Sequence, residues 1–189
     1  MNLLRYVVPG ILIALVIAGC GEDKKVTPPP AFNMTRIEKP VAGIIWSHPS
    51  TWLPQHDLPM RVATYVIPSG REDVAPGECG VFYFGKDQGG DVQTNIERWG
   101  AQFEGAKQAE ESTKKVNGMD ITIVRINGTY LAPGGPEMKS QGKKENYRLL
   151  GAIVAGPEGK IFFKCTGPAA VIIQAEDAFS AMLDSIEKE

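Results

Sequence analysis

Ser112-Thr113-Lys114-Lys115-Val116-Asn117-Gly118-Met119-Asp120-Ile121-Thr122-Ile123-Val124-Arg125-Ile126 carries the clearest folding instruction in the chain. Asn-Gly supplies two consecutive residues that tolerate positive φ, which a tight hairpin turn needs if its twist is to match its strands. Strands are therefore expected over 112–116 and 119–126. The second should run past Asn127-Gly128 to Tyr130, the glycine marking a bulge or a close backbone contact. Downstream, 147–155 and 160–165 are expected to pair across Gly156-Pro157-Glu158-Gly159. Between the two hairpins, residues 132–146 begin Ala-Pro-Gly-Gly-Pro, turn lysine-rich, and read as a long mobile loop.

Upstream, β-branched residues over 60–67 sit between Pro59 and Pro68 and read as a strand. Cys79-Gly80-Val81-Phe82-Tyr83-Phe84 is apolar on both alternating faces, as a central strand covered on both sides should be. Asp91 is a good N-cap for a helix from Val92 to about Glu104, with Val92, Ile96, Trp99 and Phe103 on one stripe. At the far end, Thr166 or Gly167 can cap a last helix, with Pro168 in its first turn. Ile172, Ala175, Phe179, Met182, Leu183 and Ile186 make its apolar stripe, while Glu176, Asp177, Asp184 and Glu187 face water. Two helices are too few to cross over between every strand. The fold class is therefore α+β, a mainly antiparallel sheet packed with two helices. No internal repeat interrupts this order.

The order resembles that of the Mog1/PsbP-like fold, an α/β/α sandwich with its antiparallel sheet between helices. Three segments also resemble a group of small uncharacterised bacterial lipoproteins. They are Met60-Arg61-Val62-Ala63-Thr64-Tyr65-Val66-Ile67-Pro68, the run from Tyr83 through Asp91 to Trp99, and Phe162-Phe163-Lys164-Cys165-Thr166-Gly167-Pro168. The resemblance covers most of residues 44–188 and implies no catalytic site.

The N-terminus resembles a lipoprotein signal. One positive charge (Arg5) precedes an apolar run that is short for a membrane-spanning helix and has the length of a signal-peptide core. Leu15-Val16-Ile17-Ala18-Gly19-Cys20 resembles the bacterial lipobox. That resemblance implies cleavage after Gly19 and acylation of the Cys20 thiol; a soluble secreted protein and a retained anchor are the alternatives. The expected organisation is a signal peptide over 1–19, a lipidated cysteine with a Pro-rich tether over 20–40, and one globular domain over 41–189. The triple proline at 28–30 suits an extended spacer. The expected location is the bacterial cell envelope, on the periplasmic side of a membrane or at the cell surface.

Net charge is −2 and the basic residues are scattered, so no nucleic-acid partner is expected. With Cys20 acylated, Cys79 and Cys165 remain as a pair. They are either two buried thiols or a disulfide closing a loop of about 85 residues, worth about 4.5 kcal/mol in the chain-entropy picture.

Candidate chemistry is sparse. Residues 85–91 (Gly-Lys-Asp-Gln-Gly-Gly-Asp) lead from strand to helix, but they lack phosphate-loop spacing and carry two carboxylates, so they read as a structural turn. His48 and His56, with Asp57 beside the second, fix no zinc geometry from a loop and are expected at the surface. No serine has a nucleophile-elbow context, and neither inner cysteine has a base beside it. No catalytic residue, metal or cofactor is therefore expected. Tyr65, Phe82, Tyr83, Phe84 and Trp99 read as core. Trp46 and Trp52, in an irregular Pro-rich stretch, are the expected interaction surface. The function expected is that of a membrane-anchored, non-enzymatic module binding an envelope protein. The alternative is a binder of a small hydrophobic or amphipathic ligand between sheet and helix.

Overall fold

The computed structural model describes residues 31–56, 58–106, 108–132 and 142–189. The signal peptide, Cys20, the segment to residue 30, Asp57 and most of the expected 132–146 loop lie outside them. Among the described residues, no helix is long and apolar enough to cross a membrane.

Turn chemistry fixes the sheet. Asn117 (φ 48°) and Gly118 (φ 78°) join β8 (Glu110–Val116) to β9 (Met119–Leu131), and Val116 pairs with Met119. β10 (Lys143–Gly156) and β11 (Gly159–Pro168) close at Gly156 and Gly159. With β4 (Leu53–Gln55), β5 (Ala63–Ile67), β6 (Gly77–Tyr83) and β7 (Phe103–Glu104), they form one eight-stranded sheet in the order β4-β5-β6-β11-β10-β9-β7, with β8 also on β9. Every pairing is antiparallel. Two small pairings close the N-terminal part: β1 (Met34–Arg36) with β3 (Ser47–Pro49), and β2 (Ile44–Ile45) with β12 (Glu187–Lys188).

Each face of the sheet is covered. On one side Phe163, Leu150, Ala152 and Ile121 pack under α2 (Ala169–Gln174) and α3 (Glu176–Asp184), whose Ile172, Phe179, Met182 and Leu183 are buried. On the other, Val124, Leu149, Ile153 and Phe162 pack under α1 (Val92–Gly100). Asp91 caps α1 as its sequence position predicts. Oδ1 accepts from the Thr94 amide and Oδ2 from the Thr94 hydroxyl, each at 2.8 Å, and this holds the Asp91 carboxyl below its ordinary pKa.

Several boundaries differ from expectation. The domain starts before Val41, because β1 pairs with β3, and Phe32, Met34 and Ile37 pack against the core. Residues 60–62 precede β5 and are not part of a strand. The first helix stops at Gly100, a poor helix former, and Phe103 reaches the core as a strand residue opposite Tyr130. β10 begins at Lys143, inside the expected loop, and a register shift between Lys144 and Tyr147 absorbs the irregularity. Gly128 lies on β9 opposite that shift, where an added Cβ would stand 2.9 Å from the Glu104 carbonyl; this is the close-contact option. β11 continues through Thr166 and Gly167, so neither caps a helix. Gly167 lies against Gly77, where a Cβ would come within 2.7 Å of that residue's Cα. The last helix divides at Ala175, although the Ala175 amide still donates to the Val171 carbonyl and the Phe179 amide to that of Ala175.

Trp99 sits on Gly151 so closely that a Cβ there would be 2.5 Å from the indole. Trp99→Ala should cost about 3–5 kcal/mol, as truncation of a core aromatic does. Gly151→Ala should also destabilise, by displacing the ring. Chemical denaturation of both variants checks this; an unchanged midpoint for either would show that the contact does not hold the layer.

Candidate functional site

Trp46 and Trp52 are not at the surface. Both are buried, and so is His48, contrary to expectation, because the short strands β2, β3 and β4 fold the Pro-rich stretch inward. The three rings gather on Tyr65. Trp46 Nε1 donates to the Tyr65 hydroxyl at 3.1 Å, the His48 ring lies 4.5 Å from the Tyr65 ring, and Trp52 lies 6.5 Å away. Burial pushes the Tyr65 phenol up to about 12, against the lowering effect of the Trp46 hydrogen bond. His48 Nδ1 is 3.0 Å from the Pro49 carbonyl, which can only accept, so this nitrogen carries the proton. His56 is exposed.

The Trp46, His48 and Tyr65 rings floor a groove of about 710 Å³. Residues 35–39 form one wall and Pro54, Gln55 and His56 the other, with Arg61 and Val62 also lining it. The groove brings His48 and His56 together, yet no cluster of three or more His, Cys, Asp or Glu side chains that could hold a metal occurs among the described residues. Beside it lies a feature the sequence reading missed. Leu53, Leu58, Met60 and Val62 are all exposed, Met60 to 78%, and Met60 takes a left-handed φ of 63°. A non-glycine residue in that region stores strain, and such strain concentrates in binding loops. The available signal was Leu58 and Met60 on either side of Pro59, next to a polar, Pro-punctuated stretch.

The other expectations fall as follows. Residues 85–91 form a structural turn, with Gly85, Asp87, Gly89 and Gly90 at positive φ and Asn95 Nδ2 donating to the carbonyls of Gly89 and Asp91. Trp99 is core, whereas Phe84 is exposed. Cys79 and Cys165 are free, fully buried, and directly opposite each other on β6 and β11.

No protein-family model matches the chain, and no curated protein matches it. Solved structures do. The cyanobacterial PsbP (CyanoP) from Synechocystis sp. PCC 6803 aligns with a TM-score of 0.52 at 12% identity, covering 86% of this chain and 96% of that one. PA94 from Pseudomonas aeruginosa, a protein of unknown function described as a candidate regulator, aligns at 0.50 and 11% identity, over 85% and 99%. The fold is Mog1/PsbP-like.

The PsbP-like sheet also carries a polar cluster invisible in the sequence. Lys164 lies in β11 between the buried Phe163 and Cys165, on the face that α1 covers only in part. Its Nζ donates to Gln102 Oε1 at 2.6 Å and stands 5.8 Å over the Tyr130 ring. Arg61 and Glu78 pair nearby at 2.7 Å. Burial first, and then the Arg61 charge, bring the Lys164 amine down to about 8. The residue signals itself only as a lysine in a strand covered on both faces.

A lowered lysine pKa means the folded state bears a buried cation at a penalty below about pH 8. The unfolded chain binds more protons from about pH 8 to its own pKa near 10.5, so this group makes stability rise with pH across that window. Lys164→Met should remove the rise and stabilise the protein at pH 7 by up to about 3 kcal/mol, at about 1.4 kcal/mol per pKa unit. Tyr65 titrates in both proteins and cancels in the difference. Urea midpoints of wild type and variant from pH 7 to 10.5 measure it; parallel curves would refute the assignment.

Proposed function

We propose that this protein is a non-enzymatic, lipid-anchored module of the bacterial cell envelope, and that it binds a protein partner through the groove and the 53–62 segment beside it. The observation that carries this reading is Met60. A strained, highly exposed apolar residue, flanked by exposed Leu58 and Val62 at the rim of a groove, is what a docking loop presents. Arg36, Lys39 and Arg61 along the groove suit a partner segment that combines apolar side chains with carboxylates. The edge strand β4 is short and contains Pro54, which disfavours strand addition there and favours side-chain docking.

The lipobox-like run at 15–20 supports the anchor, and two or more acyl chains on Cys20 would hold the protein stably. The PsbP-like fold is compatible with an interaction role and assigns none. Phe163, Phe179, Met182 and Leu183 are buried in one core cluster at α2 and α3, which favours a protein partner over a ligand held between sheet and helix.

Two measurements test this. Labelling with a fatty-acid analogue should mark the wild type and leave Cys20→Ser unmarked and unprocessed; equal label on both would remove the anchor. A photo-crosslinker at Val62, exposed beside Met60, should capture one protein in native membranes. Met60→Asp and Leu58→Asp should each reduce capture about tenfold or more, the effect of losing an apolar anchor, with melting unchanged. Capture indifferent to both substitutions would overturn the docking surface.

A further inference from the structure

We propose that Cys79 and Cys165 are joined by a disulfide in the mature protein, closed before β6 docks on β11. The compartment this requires rests on the exported reading above; the geometry does not.

The two residues are register partners in an antiparallel pair, with Glu78 opposite Thr166 and Gly80 opposite Lys164 on either side. Directly opposed residues place their Cα atoms about 4.5–5.5 Å apart, inside the roughly 4.4–6.8 Å span a disulfide needs. Opposed side chains share a face, and both cysteines belong to the core layer beneath α2 and α3. The Cys79 thiol lies close enough to Cys165 to help push that thiol's pKa up. The bridge therefore requires no backbone movement. It would sit mid-row across the sheet, between Tyr65 opposite Cys79 and Leu150 opposite Cys165.

Burial sets the order of events. Neither cysteine is exposed at all, so an oxidant cannot reach them in the folded domain. Burial also pushes the Cys165 thiol well up, which makes the attacking thiolate scarce once the core has closed. Closure must then precede core formation, through exchange with a disulfide-bearing oxidoreductase. One cysteine thiolate attacks the oxidant's disulfide and forms a mixed disulfide. The second displaces the oxidant's sulfur, forming the Cys79–Cys165 bond. Two electrons and two protons leave with the oxidoreductase, now a dithiol.

The full-length Cys20→Ser chain, unfolded and reduced in detergent, is refolded with glutathione redox buffer or with reductant alone. In redox buffer it should yield a Cys79–Cys165 linked peptide, lighter by two hydrogens than the separate peptides. Its melting point should lie about 5–15 °C above that of the reduced form. The form folded in reductant should stay a dithiol when oxidant is added afterwards. Glutathione adducts, or two alkylatable thiols after redox refolding, would overturn the bridge, and bridging of the already folded dithiol would overturn the order. Wild-type protein from bacterial envelopes is alkylated under denaturing, non-reducing conditions beside the acyl-label assay. Acylated protein with no free thiol supports the proposal. Acylated protein with two free thiols overturns it and leaves the export reading standing. Unacylated protein removes the lipid anchor and leaves the refolding result to decide the bridge.

Discussion

Burial of both faces of the β10–β11 hairpin is the constraint the rest of the structure obeys. Apolar side chains along these strands alternate between two layers: Leu150, Ala152, Ile161 and Phe163 to one side, Leu149, Ile153 and Phe162 to the other. A sheet with two apolar faces cannot leave either in water, so helices must lie on both. One cover is the α2–α3 pair, delivered directly by the end of β11. The other is α1, which follows β6, the strand beside β11, and is fixed by Trp99 seated on the bare backbone of Gly151. The glycines at 77 and 167 serve the same layering, because β6 and β11 meet there with Ile172 above them.

The two edges of the sheet are protected by different means. β8 exposes Glu110, Glu111 and Lys115, and the partly buried Lys114 reaches across to Asp184 at 2.8 Å. A charged edge resists pairing with another chain. β4 is only three residues long and contains a proline. What it leaves open is the start of β5 and the apolar stretch before it. The groove is thus a by-product of edge protection: the short strand cannot cover the neighbouring backbone, and residues 35–39 stand off from it.

Legibility followed the local signals. The hairpins at 117–118 and 156–159, the Asp91 cap and the stripe through Ile172 and Phe179 were readable because each rests on turn chemistry or periodicity within a few residues. Trp46, Trp52 and His48 were misjudged because β2, β3 and β4 hold two or three residues each, too few for any alternation to show. The start of β10 was hidden by Lys143, Lys144 and Glu145, which offer no apolar face although the first two pair with Leu131 and Tyr130 of β9. Lys164 and Arg61 meet only because β5 pairs with β6 and β6 with β11, registers that depend on residues far apart in the chain.

The groove and the N-terminal connection share one piece of backbone. Residues 35–39 are a groove wall, and the same segment leads through β1 toward residue 31. β1 is held by three register pairs to β3, by the Ser50 amide donating to the Asn33 carbonyl at 2.8 Å, and by Arg36 to Glu187 at 2.8 Å. The Arg36–Glu187 pair is half exposed and adds little on its own. Most of the wall's stability must come from burial of Phe32, Met34 and Ile37 against the core. Load on the N-terminal segment therefore falls on those three side chains before it reaches the sheet. The Ile37 amide donating to the Trp46 carbonyl at 3.0 Å ties the wall to the groove floor, and its position otherwise depends on how well that small apolar set stays packed.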